Sequence, residues 1–409
     1  MDNYTFVTDV LGIEGDLLRP LAAFLIWAAP ITGFFSVVGL VCVWLERKIS
    51  AHIQCRLGPM EVGPHGTLQT LADGLKLLGK EDIVPDKADR PLFALAPMIV
   101  FAATFVGFAV IPFSEQAIIA DLDLGIFFLA AVGSLEAIGV VMAGWSSNNK
   151  WSLFGAIRAA TQVVSYEIPL GLSLLTVVVL AGSMSMRDIT FAQHGWIFNW
   201  FVFRNPFMWI AFIIYFISAL AECKRAPFDL AEAESELVSG FHTEYSGMRF
   251  AIFFLAEYGS MYIVSAIAAV LFLGGWYTGI PFIDDIGGVV GNLIGAATII
   301  SKSFILICVQ MWLRWTLPRI RLDQMMDLCL KYLLPFSMAI LLFSTLWQGL
   351  APLAMADGKP VGTSIMGIIL FTATIAAFIA MRRFAGKTPG VSRDKDELPV
   401  FKIHGGQAS

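Results

Sequence analysis

The chain has 409 residues, of which 57% are hydrophobic and 14% are Asp, Glu, Lys or Arg, and its formal net charge is −5. Soluble domains carry roughly 25% charged residues, so a water-soluble enzyme is excluded and a bilayer is the expected surroundings. The acidic balance gives no basic footprint for a nucleic acid, and none is expected as a partner.

Asp2, Asp9, Glu14 and Asp16 precede the first apolar run. A cleaved signal begins with basic residues, so 1–19 is expected as a periplasmic segment and the run after it as a retained span. Apolar runs of spanning length lie near 20–44, 92–113, 125–143, 162–181, 205–221, 250–275, 289–313, 333–350 and 361–381. A helix crosses roughly 30 Å of hydrocarbon in about 20 residues with its backbone hydrogen bonds made internally. The expected fold class is therefore an all-α polytopic membrane protein with about nine transmembrane helices. The 205–221 run has the least distinct edge, where Trp196, Trp200 and Trp209 suit an interfacial aromatic belt.

Between the first two runs, ERKISAHIQCRLGPMEVGPHGTLQTLADGLKLLGKED carries Glu46, Arg47, Arg56, Asp73, Lys76, Lys80 and Glu81 with two Gly-Pro elements. The Gly-Pro pairs predict fixed turns, and TLQTLADGLKLL has apolar residues at helical spacing, as an interfacial amphipathic helix would. Glu136, Glu167 and Glu257 are embedded in apolar runs and Glu222 borders one. A charge in hydrocarbon costs several kcal/mol, about 2.5–3.5 on insertion scales, so each carboxylate must face a polar interior, pair with a cation or carry a proton. A shared cavity would suit a proton relay, and a static ion-pair network is the structural alternative.

GWSSNNKWSLFGAIRAATQVVSYE places Trp145, Asn148, Asn149 and Lys150 before a helix with Arg158 and Glu167. Those last two are nine residues apart, about 13 Å along a helix, so each needs another partner. In AECKRAPFDLAEAESELVSGFHTEYSGMRF, Asp229, Glu232 and Glu236 stand at i, i+3 and i+7, which predicts one acidic face of a short helix that Gly240 can end, with Glu234 pointing elsewhere. Lys302 sits deep in an apolar run, where it must snorkel or meet an acidic partner. Cys42, Cys55, Cys223, Cys308 and Cys329 are scattered, and no metal site is expected.

Taking alternate connections as opposite faces, one side carries 22 Lys or Arg and the other four. The basic side is expected inside, which puts the amino terminus in the periplasm and the carboxy terminus in the cytoplasm. The expected organisation is an eight-span core over 20–350, an additional span with its preceding loop over 351–381, and a polar cytoplasmic tail over 382–409.

The ordered motifs LERKISAHIQCRLGP, QTLADGLKLLGKE, GWSSNNKWSLFGAIRAATQVVSYE, RAPFDLAEAESELVSGFHTEYSGMRFAIFFLAEY and RWTLPRIRLDQMM closely resemble a membrane-subunit family of bacterial proton-pumping NADH:quinone oxidoreductase (respiratory complex I), the family equivalent to mitochondrial NADH dehydrogenase subunit 1. The resemblance covers roughly 20–350. It implies a bacterial inner-membrane subunit in which an isoprenoid quinone, ubiquinone or menaquinone, passes from the bilayer toward peripheral subunits for reduction. NADH, FMN and iron–sulfur clusters would belong to those partner subunits. This chain alone would hold no cofactor, metal or catalytic residue. Further implied partners are small membrane subunits, antiporter-like proton-pumping subunits and membrane lipids.

The resemblance assigns Glu46, Arg47, Arg56, Asp73, Lys76, Glu81, Arg225, Asp229, Glu232, Glu234, Glu236 and Glu244 to the quinone passage or its coupling loops. It assigns Glu136, Glu167, Glu222 and Glu257 to proton coupling; Arg158 and Lys302 are candidate charge partners by their positions in the sequence alone. One departure is Cys223-Lys224 where the family usually has Thr-Asn, which adds a positive charge beside Glu222 and Arg225. The alternatives are a membrane subunit of a related hydrogenase or ferredoxin-dependent complex, and a purely structural anchor.

Overall fold

A computed structural model describes residues 18–232 and 234–354. The amino-terminal segment, the additional span expected at 361–381 and the polar tail lie outside the described residues, as do both termini. The described residues up to Leu350 belong to one compact unit, and of the second, Ala351–Ser409, only 351–354 are described.

The described residues form helices and connecting turns without strands. The principal helices are α1 (Leu18–Ile53), α2 (Gln69–Leu78), α3 (Arg90–Val110), α4 (Gly125–Ser146), α5 (Lys150–Ala181), α6 (Pro206–Glu222), α7 (Gly247–Phe272), α8 (Gly288–Thr316) and α9 (Leu334–Ala354). Among the described residues, seven segments are long and apolar enough to cross a membrane, the last being Leu322–Gly349, and the apolar Phe207–Glu222 is shorter. The blurred 205–221 run resolves into α6. Pro206 occupies its first turn and Asn205 caps it, accepting from Phe207 N at 3.0 Å.

The expected run 162–181 is only the second part of α5. Asn149 accepts a bond from Trp151 N at 3.0 Å, and nothing breaks the helix before left-handed Gly182. At 32 residues and about 1.5 Å each, α5 exceeds the roughly 30 Å hydrocarbon thickness of a bilayer.

The expected acidic helix across 229–236 does not form. The regular turn is limited to Glu234–Leu237. Phe228, Leu230 and Ala231 are all buried, which no single helical face would place inward. Gln162 Nε2 satisfies the irregular backbone by donating at 2.8 Å to both the Ala221 and Phe228 carbonyls. The loop then closes onto α5 through Gly240. Its φ of +55° and the 1.8 Å that would separate an added Cβ from the Ala231 carbonyl admit no side chain. Beneath it, Phe93, Ala96, Val100, Val140, Ala156, Ala231, Phe241 and Phe253 belong to one buried cluster, which fastens the acidic loop to α3, α4, α5 and α7.

Candidate functional site

An apolar cleft of about 830 Å³ lies between α1, α2 and α7, with Met98 and Phe101 of α3 contributing to it. Its walls include Leu40, Val43, Leu71, Leu75, Phe254 and Leu255. Leu71, Leu75 and Leu78 recur at helical spacing on α2 and are well exposed, the greasy stripe of an amphipathic helix. Few polar side chains break the lining. Arg47 and Asp73 pair across it at 2.5 Å, Lys76 lies nearby, and Tyr258 forms part of the wall. A mostly apolar concavity of this volume with a small number of polar groups is a typical small-molecule site.

Behind Tyr258 stands a buried charge network. Its hydroxyl donates to Glu46 Oε2 at 2.6 Å, and the Arg225 guanidinium lies 4.3 Å from the centre of its ring. Arg225 reaches Glu46 at 2.9 Å and Glu257 at 2.5 Å, and Arg314 also binds Glu46. Arg225 and Glu46 are 3% and 8% exposed at their side chains, so these ions are removed from water and depend on each other. The two carboxylates hold the guanidinium well above even arginine's usual range, against the burial that opposes its charge.

Lys224 departs from its expected neighbour. Its Nζ pairs with Glu136 at 2.7 Å, not with Glu222. Burial works against the ammonium, but Glu136, with Glu257 and Glu232, more than offsets it and raises its pKa above the ordinary lysine value. Glu136 and Glu257 line one small cavity with Lys224, Glu232 and His242, and Glu136 and Glu222 line a second of about 60 Å³. Glu136 thus joins the two. Glu167 lies within electrostatic reach of Glu222 but lines neither cavity.

The carboxylates of the acidic loop are distributed, because the chain there is irregular. Asp229 meets Arg319 at 3.2 Å, Glu232 meets His242 at 3.3 Å and Glu236 meets Arg158 at 2.6 Å. Glu244 accepts from Asn149 at 2.6 Å. Burial raises Asp229 above the usual carboxylate range. Burial also pushes Glu232 upward, but the His242 bond, with Arg225 and Lys224, outweighs it and holds the carboxyl below its ordinary 4.5. Arg158 lowers Glu236 likewise, at a more exposed and better screened position.

A lowered carboxyl contributes stability that is complete above its unfolded pKa and is lost as pH falls through the folded one; a raised carboxyl has the opposite sign. The lowered Glu232 and Glu236 are therefore expected to weaken docking of the 229–242 loop below about pH 4.5, with the raised Asp229 acting in the opposite sense. Hydrogen exchange, corrected for its intrinsic pH dependence, checks this, and equal protection at pH 7 and pH 4 would contradict it.

Several predicted residues lie elsewhere. Arg56 is exposed and bonds Gln54 at 2.6 Å, and Glu81 is exposed at the turn where its carbonyl accepts from Ser246. The Glu234 side chain lies outside the described residues. Lys302 forms no ion pair with a carboxylate among the described residues. Its Nζ donates to the carbonyls of Leu273, Gly275 and Tyr277 at 2.6, 3.0 and 2.6 Å and lies 4.2 Å from the centre of the Trp200 ring. The chain after α7 turns back through Gly274 and Gly275, both at positive φ, and presents those carbonyls to a cation. Sequence reasoning did not single out Tyr258, His242, Arg314 or Arg319, although each falls within a quoted motif.

A family model described as NADH dehydrogenase matches residues 26–345, which include the cleft and the whole charge network. The chain belongs to the NADH dehydrogenase family. It is 53% identical over 337 residues to a Chlorobaculum parvum protein named as a subunit of NADH-quinone oxidoreductase, covering 80% of this chain and 93% of that relative. A Chlorobaculum tepidum relative of the same name is 52% identical over 337 residues, covering 80% of this chain and 93% of the relative. One from Anaeromyxobacter dehalogenans, also so named, is 43% identical over 376 residues, covering 88% and 90%. The NADH dehydrogenase match stops before the span expected at 361–381, so the family assignment rests on the helices described above.

Proposed function

We propose that this chain is the membrane subunit through which quinone reaches the peripheral arm of a proton-translocating NADH:quinone oxidoreductase, and that its buried carboxylates couple quinone reduction to proton movement. Relatives that carry the name of that complex support the membership. The observation that carries the finer reading is Tyr258, which is wall to the apolar cleft on one side and hydrogen-bond donor to the Glu46–Arg225–Glu257 network on the other.

The apolar lining suits an isoprenoid tail, and the Arg47–Asp73 pair offers the headgroup polar contacts. Electron transfer belongs to neighbouring subunits that carry FMN and iron–sulfur clusters and oxidise NADH. A change of charge or hydration on the cleft side acts across Tyr258 on Glu46 and Arg225, and from there on Glu257 and the cavities shared by Glu136 and Glu222. Antiporter-like subunits in the inner membrane would take up the disturbance beyond Glu222 and Glu167. Ion pairs this short and buried also suit a static anchor; the adjoining cleft favours the passage.

Photo-crosslinking of the intact complex with an azido-ubiquinone tests the passage. Labelling on α1, α2 and α7 that excess quinone suppresses is expected, and its absence there would overturn the passage. Leu71→Trp and Leu75→Trp should each raise the KM for a long-tailed quinone roughly tenfold, as an overpacking cost of about 1.4 kcal/mol implies. A short-tailed analogue should suffer less. Equal KM values for wild type and both variants would remove the cleft from the quinone route.

A further inference from the structure

Among the buried titratable side chains to which the coupling reading gives no task is His242. It is 7% exposed and enclosed by Phe241, Phe250 and Phe253. Its Nε2 lies 3.3 Å from Glu232, while its Nδ1 is buried with no hydrogen-bond partner among the described residues. A buried polar atom without a partner costs about 1–3 kcal/mol, a cost that a bound water at Nδ1 would relieve. His242 also lines the small cavity that holds Lys224, Glu136 and Glu257. That cavity, about 10 Å³, is at the lower bound of what one water needs, and its polar lining supplies the partners a water requires.

We propose that His242 is a proton-holding group that joins Glu232 of the acidic loop to the membrane carboxylates Glu257 and Glu136. The charged groups facing it are Glu232 on the loop, Glu257 on α7, Glu136 on α4 and Lys224, with Arg225 beyond Glu232.

In the neutral ring the Nε2 proton is donated to Glu232 and Nδ1 is bare. A proton from Glu257, passed through one water, forms the Nδ1–H bond and gives the imidazolium. The Nε2–H bond then breaks and its proton goes to the Glu232 carboxylate, which leaves a neutral ring protonated on Nδ1. One proton enters, one leaves and no electron moves. The reverse sequence resets the ring and carries a proton from loop to membrane.

The inference rests on the coupling reading, and its test separates the two. In inverted vesicles holding the assembled complex, proton translocation driven by NADH is measured from pH 5.5 to 9 with ubiquinone-1 or menaquinone-1, whichever the wild type turns over. Rates are normalised to NADH oxidation by ferricyanide, which reports the amount of assembled complex. His242→Gln, with a side chain that fits the pocket but does not titrate, is expected to lower coupled turnover at least tenfold and to flatten the pH profile. Glu232→Gln keeps the histidine and removes its anion, so the alkaline limb should move to lower pH.

If His242→Gln fails to assemble, the displaced limb in Glu232→Gln alone supports the proposal and an unmoved limb overturns it. Wild-type rate and pH profile in both variants, with Glu136→Gln and Glu257→Gln impaired, would remove His242 while leaving the coupling reading. Unimpaired Glu136→Gln and Glu257→Gln would remove the coupling reading, and the inference with it.

Discussion

Arg225→Met is expected to destabilise the protein by about 3–5 kcal/mol, the usual cost of removing one partner from a buried ion pair. The variant should abolish coupled quinone turnover. Arg225 is 3% exposed at its side chain and bridges two carboxylates, so its loss removes the cation that Glu46 and Glu257 share. Glu46 would retain Arg314 and the Tyr258 hydroxyl, whereas Glu257 would lose the cation it touches. Arg225→Lys should recover only part of the loss, because a point ammonium lacks the planar fork that serves two carboxylates at once. Thermal unfolding of the detergent-solubilised complex is the measurement. A variant as heat-resistant and as active as wild type would mean that the Arg225 bridges carry neither stability nor coupling.

The second large effect concerns Lys224 and Glu136. Glu136→Gln leaves a buried ammonium facing a neutral amide, and Lys224→Met leaves a buried carboxylate beside a thioether. Each single variant should lose stability on the order of 3 kcal/mol. The double variant should regain most of it, since replacing both partners of a buried pair by uncharged groups is often close to neutral. Proton translocation follows a different rule. It should be absent in both variants without Glu136, however well the double variant folds. A double-mutant cycle with both readouts checks this. Recovery of translocation together with stability in the double variant would make the pair a packing feature and remove Glu136 from the proton route.

Much of this architecture is written in hydropathy. The apolar runs and the amphipathic pattern of 69–78 locate the helices because bilayer crossing and interfacial placement leave periodic and compositional traces. The cost of burying charge singles out Glu136, Glu222 and Glu257. Partners are a matter of long-range contact, and no local pattern encodes them. Arg225 and Glu46 are 179 positions apart, and Arg314 and Glu46 are 268 apart. The acidic stripe at 229–236 shows the opposite failure, in which an apparent helical face dissolves because burial of Phe228, Leu230 and Ala231 outweighs local helical spacing. Lys302 shows a third. A lone lysine in an apolar run invites a side-chain counter-ion, yet its counter-charge is the carbonyl end of a helix.

Tyr258 places a single aromatic ring between grease and ions. Its position means that the two compartments have separate design rules: apolar residues on the oily side can be resized for tail length without touching the Glu46–Arg225–Glu257 network. The ionic side can be retuned without altering what fits in the oil. Only at that phenol would one alteration register in both.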